Sequence, residues 1–256
     1  VGRVSGSGFS GSGVLIGNQW VLTAGHVATS KTNGTFRLGS QSVTIAQAIV
    51  APGYSLGGPT NDIGLLRLAT PISSVEPANM FTFDDPAMLL GREATWVGNG
   101  MTGTGLTGYQ AVFELRAFTN VIDVYGNDPR YGLPSSSFVA DFDRPDGSTN
   151  AAGSTAEASR LEGCVAPGDS GGGVFITLGG TRLLVGINSY LARFDASANA
   201  DYGDLSGASR LDLFAPWIFQ QSGIMVIPEP GAAAICLWTM TWSLLRRTRR
   251  DAGQSC

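Results

Sequence analysis

The stretch "GSGVLIGNQWVLTAGHV", Gly11 to Val27, decides the reading of this 256-residue chain. Two short apolar runs, Val14-Leu15-Ile16 and Trp20-Val21-Leu22, flank Gly17-Asn18, a pair suited to a tight hairpin turn. They read as two strands. After the second come Thr23-Ala24-Gly25 and then His26, the single histidine of the chain. A strand end is a place from which a loop can present an imidazole. A lone histidine is more often structural than functional, so His26 needs companions before it means anything. One histidine also speaks against a His-based zinc site, and no cofactor is expected.

Composition points the same way as the hairpin. Thirty-six glycines, 12 prolines and only 14% charged residues predict many turns joining short strands. The length suits one large all-β unit or two small ones, with a sizeable core. The net charge is −4, but residues 1–225 carry 12 basic against 18 acidic residues. An acidic body without a basic patch or aromatic platform argues against nucleic-acid binding. Of the three cysteines only Cys164 lies in that body, so no disulfide framework is expected and the fold must stand on its core. No charged segment followed by an apolar one opens the chain at Val1, so the expectation is a trimmed product or a missing upstream segment.

Two more stretches supply companions for His26. In "NDIGLLRL", Asn61 to Leu68, Asp62 stands directly before an apolar strand and should be drawn partly inside. A buried carboxylate needs a hydrogen-bond partner, and an imidazole N–H is a natural one. The plainer reading is a turn-starting Asp at the head of the strand. In "CVAPGDSGGGVF", Cys164 to Phe175, glycines crowd around Ser170. Such a turn lets backbone approach backbone and gathers N–H groups into a concavity that suits a developing negative charge. An ordinary surface loop is the plainer reading here as well.

In the order His26, Asp62, Ser170, the three motifs together resemble those of the trypsin-like serine peptidases of the chymotrypsin fold. The likeness covers roughly residues 9 to 222. It implies two antiparallel six-stranded β-barrels with the site in the cleft between them. The expected organisation is a peptidase domain over 1–225, with a first barrel over about 1–105 and a second over about 106–225. The glycine-rich "MTGTGLTGY", Met101 to Tyr109, would mark the division. Phe214, Trp217, Ile218 and Gln221 follow helical spacing, Pro216 fits a first turn and Gly223 can close the end, so a short final helix is predicted.

The resemblance also implies roles. Ser170 would be the nucleophile, His26 the base and Asp62 its orienter, with the N–H groups of Gly168 and Ser170 as the oxyanion hole. Cys164 would lie at the base of the primary specificity pocket. Ser189, Tyr190 and Leu191 would form its wall and pair with the substrate backbone, and Ser189 would lie near Asp62. An uncharged pocket partly filled by Leu191 predicts cleavage after small or medium apolar residues of a protein or peptide substrate. An acid from the Phe194–Ser206 loop would overturn that. Asp169, which in the family pairs with a freed N-terminal amine, must find another donor here, or the true N-terminus lies upstream. The other class considered is a non-catalytic binding or adhesion module on the same fold, although such proteins usually lose a triad member. An esterase of the α/β-hydrolase kind is excluded, because its histidine follows the serine and none does here.

The tail, residues 226–256, reads differently. Gly231 to Leu245 is uncharged and mostly apolar over 15 residues. As a helix it would span about 22 Å, short of the roughly 20 residues that a bilayer core prefers. Arg246, Arg247, Arg249 and Arg250 follow it and would stay on the cytoplasmic side. Pro228-Glu229-Pro230, the apolar run and the arginine cluster resemble the PEP-CTERM sorting signal of Gram-negative bacteria. That resemblance implies export to the cell surface or medium, recognition by an exosortase and transient inner-membrane contact through 231–245. On this reading the tail contributes nothing to the core.

Overall fold

A computed structural model describes residues 1–153, 158–193 and 197–229. The described residues are mostly β, with 7% helix. The first lobe is a closed barrel of β1 (Gly2–Ser5), β2 (Gly11–Gly17), β3 (Trp20–Thr23), β4 (Thr35–Leu38), β5 (Gln41–Val50) and β6 (Gly64–Leu68). Its antiparallel strands run in the order β1-β2-β3-β6-β5-β4, and β4 returns to β1. The predicted hairpin is β2–β3, with Gly17 opposite Trp20, so the two turn residues are Asn18 and Gln19. That is one residue later than the Gly17-Asn18 pair suggested.

The second lobe is a curled seven-stranded half-barrel in the order β11-β8-β14-β15-β16-β13-β12. Its strands are β8 (Glu93–Gly98), β11 (Arg116–Val121), β12 (Val124–Tyr125), β13 (Ser137–Asp141), β14 (Gly173–Leu178), β15 (Thr181–Ala192) and β16 (Leu205–Arg210). The chymotrypsin-like architecture is therefore present, with a closed barrel facing an open one. A short strand, β7 (Phe81–Thr82), lies on the connection between the lobes.

The change of lobe falls earlier than the glycine-rich segment suggested. β8 already pairs with β11 and β14 in the second sheet, so the crossing lies between Leu68 and Glu93. Met101 to Phe113 instead folds into a two-stranded hairpin of its own, β9 (Met101–Thr104) with β10 (Gly108–Phe113). The glycines there serve that hairpin and its turn, not a boundary.

Burial explains why β2 has no polar face. Leu15 packs inside the barrel with Val4, Val21 and Phe36, while Val14 and Ile16 face the other way. Those two join Leu22 and Leu65 against Leu184, Ile187, Leu211, Phe214 and Ile218, making a core shared by the two lobes. Each such side chain contributes about 1.5–3 kcal/mol relative to exposure. Helix α2 (Ala215–Ser222) seals this core as predicted, with Pro216 in its first turn and Gly223 closing it at φ 73°. A one-turn helix, α1 (Gly25–Ala28), follows β3.

The chain does not leave the fold at residue 225. Ile224 fills the space over Gly17, and Val226, 9% exposed, belongs to the shared core. A last strand, β17 (Ile227–Pro228), runs parallel to β7. The Ile227 N–H donates to the Met80 carbonyl at 2.8 Å and the Glu229 N–H to the Thr82 carbonyl at 2.9 Å. The expectation that nothing after 225 touches the core is corrected: the fold runs through at least Glu229. The apolar run 231–245 and its arginines lie outside the described residues. No helix among the described residues is long and apolar enough to cross a membrane.

Candidate active site

β3 ends where the shared core ends, and α1 turns His26 out of it towards the cleft. Asp62 arrives from the loop before β6 and is 1% exposed. Its Oδ1 accepts the His26 backbone N–H at 2.8 Å, and its Oδ2 lies 2.8 Å from His26 Nδ1. The Ser189 hydroxyl donates to the same Oδ2 at 2.6 Å. Three hydrogen bonds thus compensate the buried carboxylate, and two of them fix one residue. Because Nδ1 is engaged, Nε2 is the ring nitrogen left for chemistry. The Phe9 ring meets the imidazole edge-on, with centroids 5.9 Å apart.

The acid is gripped from the other lobe in a way the sequence did not reveal. Ser209 Oγ donates to the Asp62 carbonyl at 2.7 Å, and the Asn61 N–H donates to Ser136 Oγ at 2.9 Å. With Ser189, three serines of the second lobe hold the loop that carries Asp62. Ser136 sits in a run of three serines and Ser209 between Ala208 and Arg210, so nothing local singled these two out.

Ser170 stands in the predicted turn. Gly168 and Gly171 have φ of 100° and 84°, a region that L side chains rarely adopt. At Gly171 a Cβ would also come within 2.1 Å of the Ser12 carbonyl oxygen and of Thr23 Oγ1. The turn consumes three of its N–H groups. Those of Asp169, Gly171 and Gly172 donate to the carbonyls of Ala166, Asn188 and Asp169 at 3.0, 2.7 and 2.8 Å. Those of Gly168 and Ser170 have no protein partner among the described residues. The Ser170 hydroxyl donates to the Ser189 carbonyl at 3.5 Å.

Asp169 finds its donors in the backbone. Its Oδ1 accepts the Gly100 N–H at 2.8 Å and its Oδ2 the Ala166 N–H at 2.9 Å. Burial pushes its carboxyl up to about 6, against the pull of those two N–H groups.

A pocket of about 190 Å³ opens beside Ser170, between Val165–Pro167 on one side and Asn188–Leu191 on the other. Ser189, Tyr190 and Leu191 line it, and no charged residue does among the described residues. Tyr190 is held from behind, its hydroxyl 2.8 Å from Ser137 Oγ and its ring over Gly207. Cys164 does not line this pocket. Its Sγ accepts from Ser206 Oγ at 3.2 Å, and that hydroxyl also accepts the Val165 N–H at 3.0 Å. The thiol is thereby drawn behind the wall, where it faces a separate cavity of about 400 Å³ and burial pushes its pKa up. In the loop over 194–206, Asp204 is turned inwards, its Oδ2 accepting the Asn199 and Ala200 N–H groups at 3.0 and 2.8 Å. Residues 194–196 of that loop lie outside the described residues.

A second group of acids went unnoticed in the sequence. Asp123 Oδ2 accepts the Asp141 N–H at 3.0 Å, and Asp141 Oδ2 accepts the Ala152 N–H at 2.7 Å. Burial, and then the facing Asp141 carboxyl, push Asp123 up to about 9; burial first also pushes Asp143 up to about 7. The signal was "FVADFD", Phe138 to Asp143, two acids inside an apolar strand and its exit. Among the described residues no group of His, Cys, Asp or Glu is arranged to hold a metal ion.

Residues 2–128, just under half of the chain, match the family model described as Trypsin. The match contains His26 and Asp62 and ends before Ser170. Mouse (Mus musculus) vitamin K-dependent protein C is 34% identical over 113 residues, which is 39% of this chain and 23% of that protein. Its rat (Rattus norvegicus) counterpart is 39% identical over 69 residues, 23% of this chain and 15% of that protein. The chain spans less than a quarter of the length of the curated relatives it matches.

Proposed function

We propose that the chain is a serine endopeptidase that cleaves peptide bonds through an acyl-enzyme. The observation that carries this reading is the double hydrogen bond from His26 to a buried Asp62, backed by Ser189, beside a serine whose turn leaves two N–H groups unspent. The trypsin-family match over the half that holds the base and the acid supports it.

The reaction then follows from the residues. The Ser170 hydroxyl turns from the Ser189 carbonyl to His26 Nε2, gives up its proton there and attacks the scissile carbonyl. Asp62 keeps the proton on Nδ1 and stabilises the imidazolium. The N–H groups of Gly168 and Ser170 receive the oxyanion, each donor lowering the barrier by about 3 kcal/mol. The imidazolium passes its proton to the leaving amine, and a water activated by the same ring hydrolyses the acyl-enzyme.

Substrate choice is read from the small pocket. With Leu191 in its wall and no charge among its described lining residues, it suits Ala, Val or Leu before the cleaved bond. A buried Arg or Lys would find no partner. The tail is read as a sorting signal on its motif order alone: Pro228-Glu229-Pro230, an apolar run and an arginine cluster. That reading makes the enzyme an exported one, held briefly at the inner membrane of a Gram-negative cell and handled by an exosortase-type partner.

A fluorophosphonate probe tests the central claim. It should label the wild-type chain at Ser170 and leave Ser170→Ala unlabelled. A wild type that stays unlabelled would sink the peptidase reading and favour a binding module. A peptide library then tests the pocket, and strong cleavage after Arg would overturn the apolar preference.

A further inference from the structure

Ser12 is fully buried in β2, and every polar atom it owns is engaged. Its N–H donates to the Ser170 carbonyl at 2.7 Å, and its carbonyl accepts from Thr23 Oγ1 at 2.7 Å. Its hydroxyl donates to the Gly168 carbonyl at 2.9 Å and accepts the Asn99 N–H at 2.8 Å. A backbone N–H can only donate, so Asn99 commits the hydroxyl proton to Gly168. Ser12 thus holds the carbonyls of the two residues, Gly168 and Ser170, whose own N–H groups are unspent.

We propose that Ser12 is a positioning residue for the oxyanion hole: from the first lobe it fixes the second lobe's nucleophile turn in its working shape. The proposal rests on the peptidase reading above. The turn contains Gly168 and Gly171, which have no Cβ to restrict their backbone, so its shape must come from hydrogen bonds. Asp169 supplies two of these from within its own lobe, through Gly100 and Ala166. The N–H groups of Asp169, Gly171 and Gly172 add backbone bonds within that lobe; among the described residues, only the two bonds from Ser12 tie the turn to the strand that pairs with β3 and so leads to His26. One residue therefore registers the nucleophile against the base across the cleft. A buried hydroxyl with a fixed proton direction suits that task, since losing it leaves both Asn99 N–H and Gly168 C=O unpaired.

Ser12→Ala tests this, with Ser12→Cys as a variant of similar size and weaker donor strength. For Ser12→Ala, kcat on a peptide anilide should fall roughly 10-fold to 100-fold while KM stays within about twofold, because the loss acts in the transition state. Ser12→Cys should lie between. A second measurement needs no activity: in a Ser170→Ala background, Ser12→Ala should speed amide exchange over 166–172 and leave β3 and β6 protected. Unchanged kcat with unchanged exchange would overturn the proposal. So would a uniform loss of protection through the chain, which would reduce Ser12 to a packing residue. A wild type unlabelled by fluorophosphonate would remove the peptidase reading and this role with it, while the exchange result would still report whether Ser12 orders the turn.

Discussion

The two lobes bury different things. The closed barrel buries Val4, Leu15, Val21, Phe36, Ile45 and Leu66, and its buried charged groups are Lys31 and Asp62 among the described residues. The open sheet and its loops bury Asp123, Asp141, Asp143, Asp169 and Asp204. A closed barrel pairs its own backbone. An open one leaves long loops whose N–H groups need acceptors, and here carboxylates supply them. Asp123, Asp141, Asp169 and Asp204 together accept the N–H groups of Asp141, Ala152, Gly100, Ala166, Asn199 and Ala200. The first lobe carries His26 beside an apolar core; in the second, the Asp169 carboxylate staples the turn that carries Ser170. Rigidity and adjustability are thereby assigned to different halves of one site.

The largest effect should come from the one acid that serves the dry half. Asp62→Asn keeps an acceptor for the His26 backbone but spoils the ring pairing. Its kcat should fall about 10⁴-fold, the scale of such triads, with little change in Tm. A variant within tenfold of wild type would break the assignment of Asp62.

Next in size is the core that joins the halves. A chain ending at Glu229 should melt with the full chain. One ending at Gly223 loses Ile224, Val226 and the two hydrogen bonds of β17, and its Tm should drop by roughly 10 °C. Calorimetry on the two truncations decides it. Equal melting would return residues 226–229 to the tail.

The smallest effect sharpens the contrast between dry barrel and stapled sheet. Asp123 and Asp143 are raised to about 9 and about 7, so the folded protein keeps protons that the unfolded chain releases near pH 4. Stability should therefore be greatest in acid and fall as pH rises from about 4 through 9. Asp169, raised to about 6, adds a loss of the same sign. Asp123→Asn still accepts the Asp141 N–H and gains a permanent donor, so it should melt a few degrees above wild type at pH 8–9 and no higher near pH 5. Parallel melting curves across that range would remove the acids from the account.

What the sequence made legible was local or ordered along the chain. The β2–β3 hairpin, α2 and the three motifs each announce themselves within a dozen residues, and their order carried the architecture. What it hid depends on which atoms meet across the molecule. Ser12 sits between two glycines and looks like turn material, yet its buried hydroxyl both donates to Gly168 and accepts from Asn99 in the other lobe. Cys164 is in register with a pocket floor but is pulled behind the wall by Ser206, a residue 42 positions away. Val226 lies past a clean helix stop at Gly223, so its apolar character read as the start of a tail. Ser189 was placed near Asp62 by the family resemblance, but Ser136 and Ser209, which hold the same loop, have neighbours that gave no hint of a shared target.

The parallel pairing of β17 with β7 has a mechanical consequence. A pull along β17 from whatever follows Glu229 loads its two backbone hydrogen bonds in shear, both at once, instead of unzipping them in turn. The load then passes through Met80 and Val226 into the core shared by the lobes. A tether at this end would therefore strain the seam between the lobes before it strained either lobe.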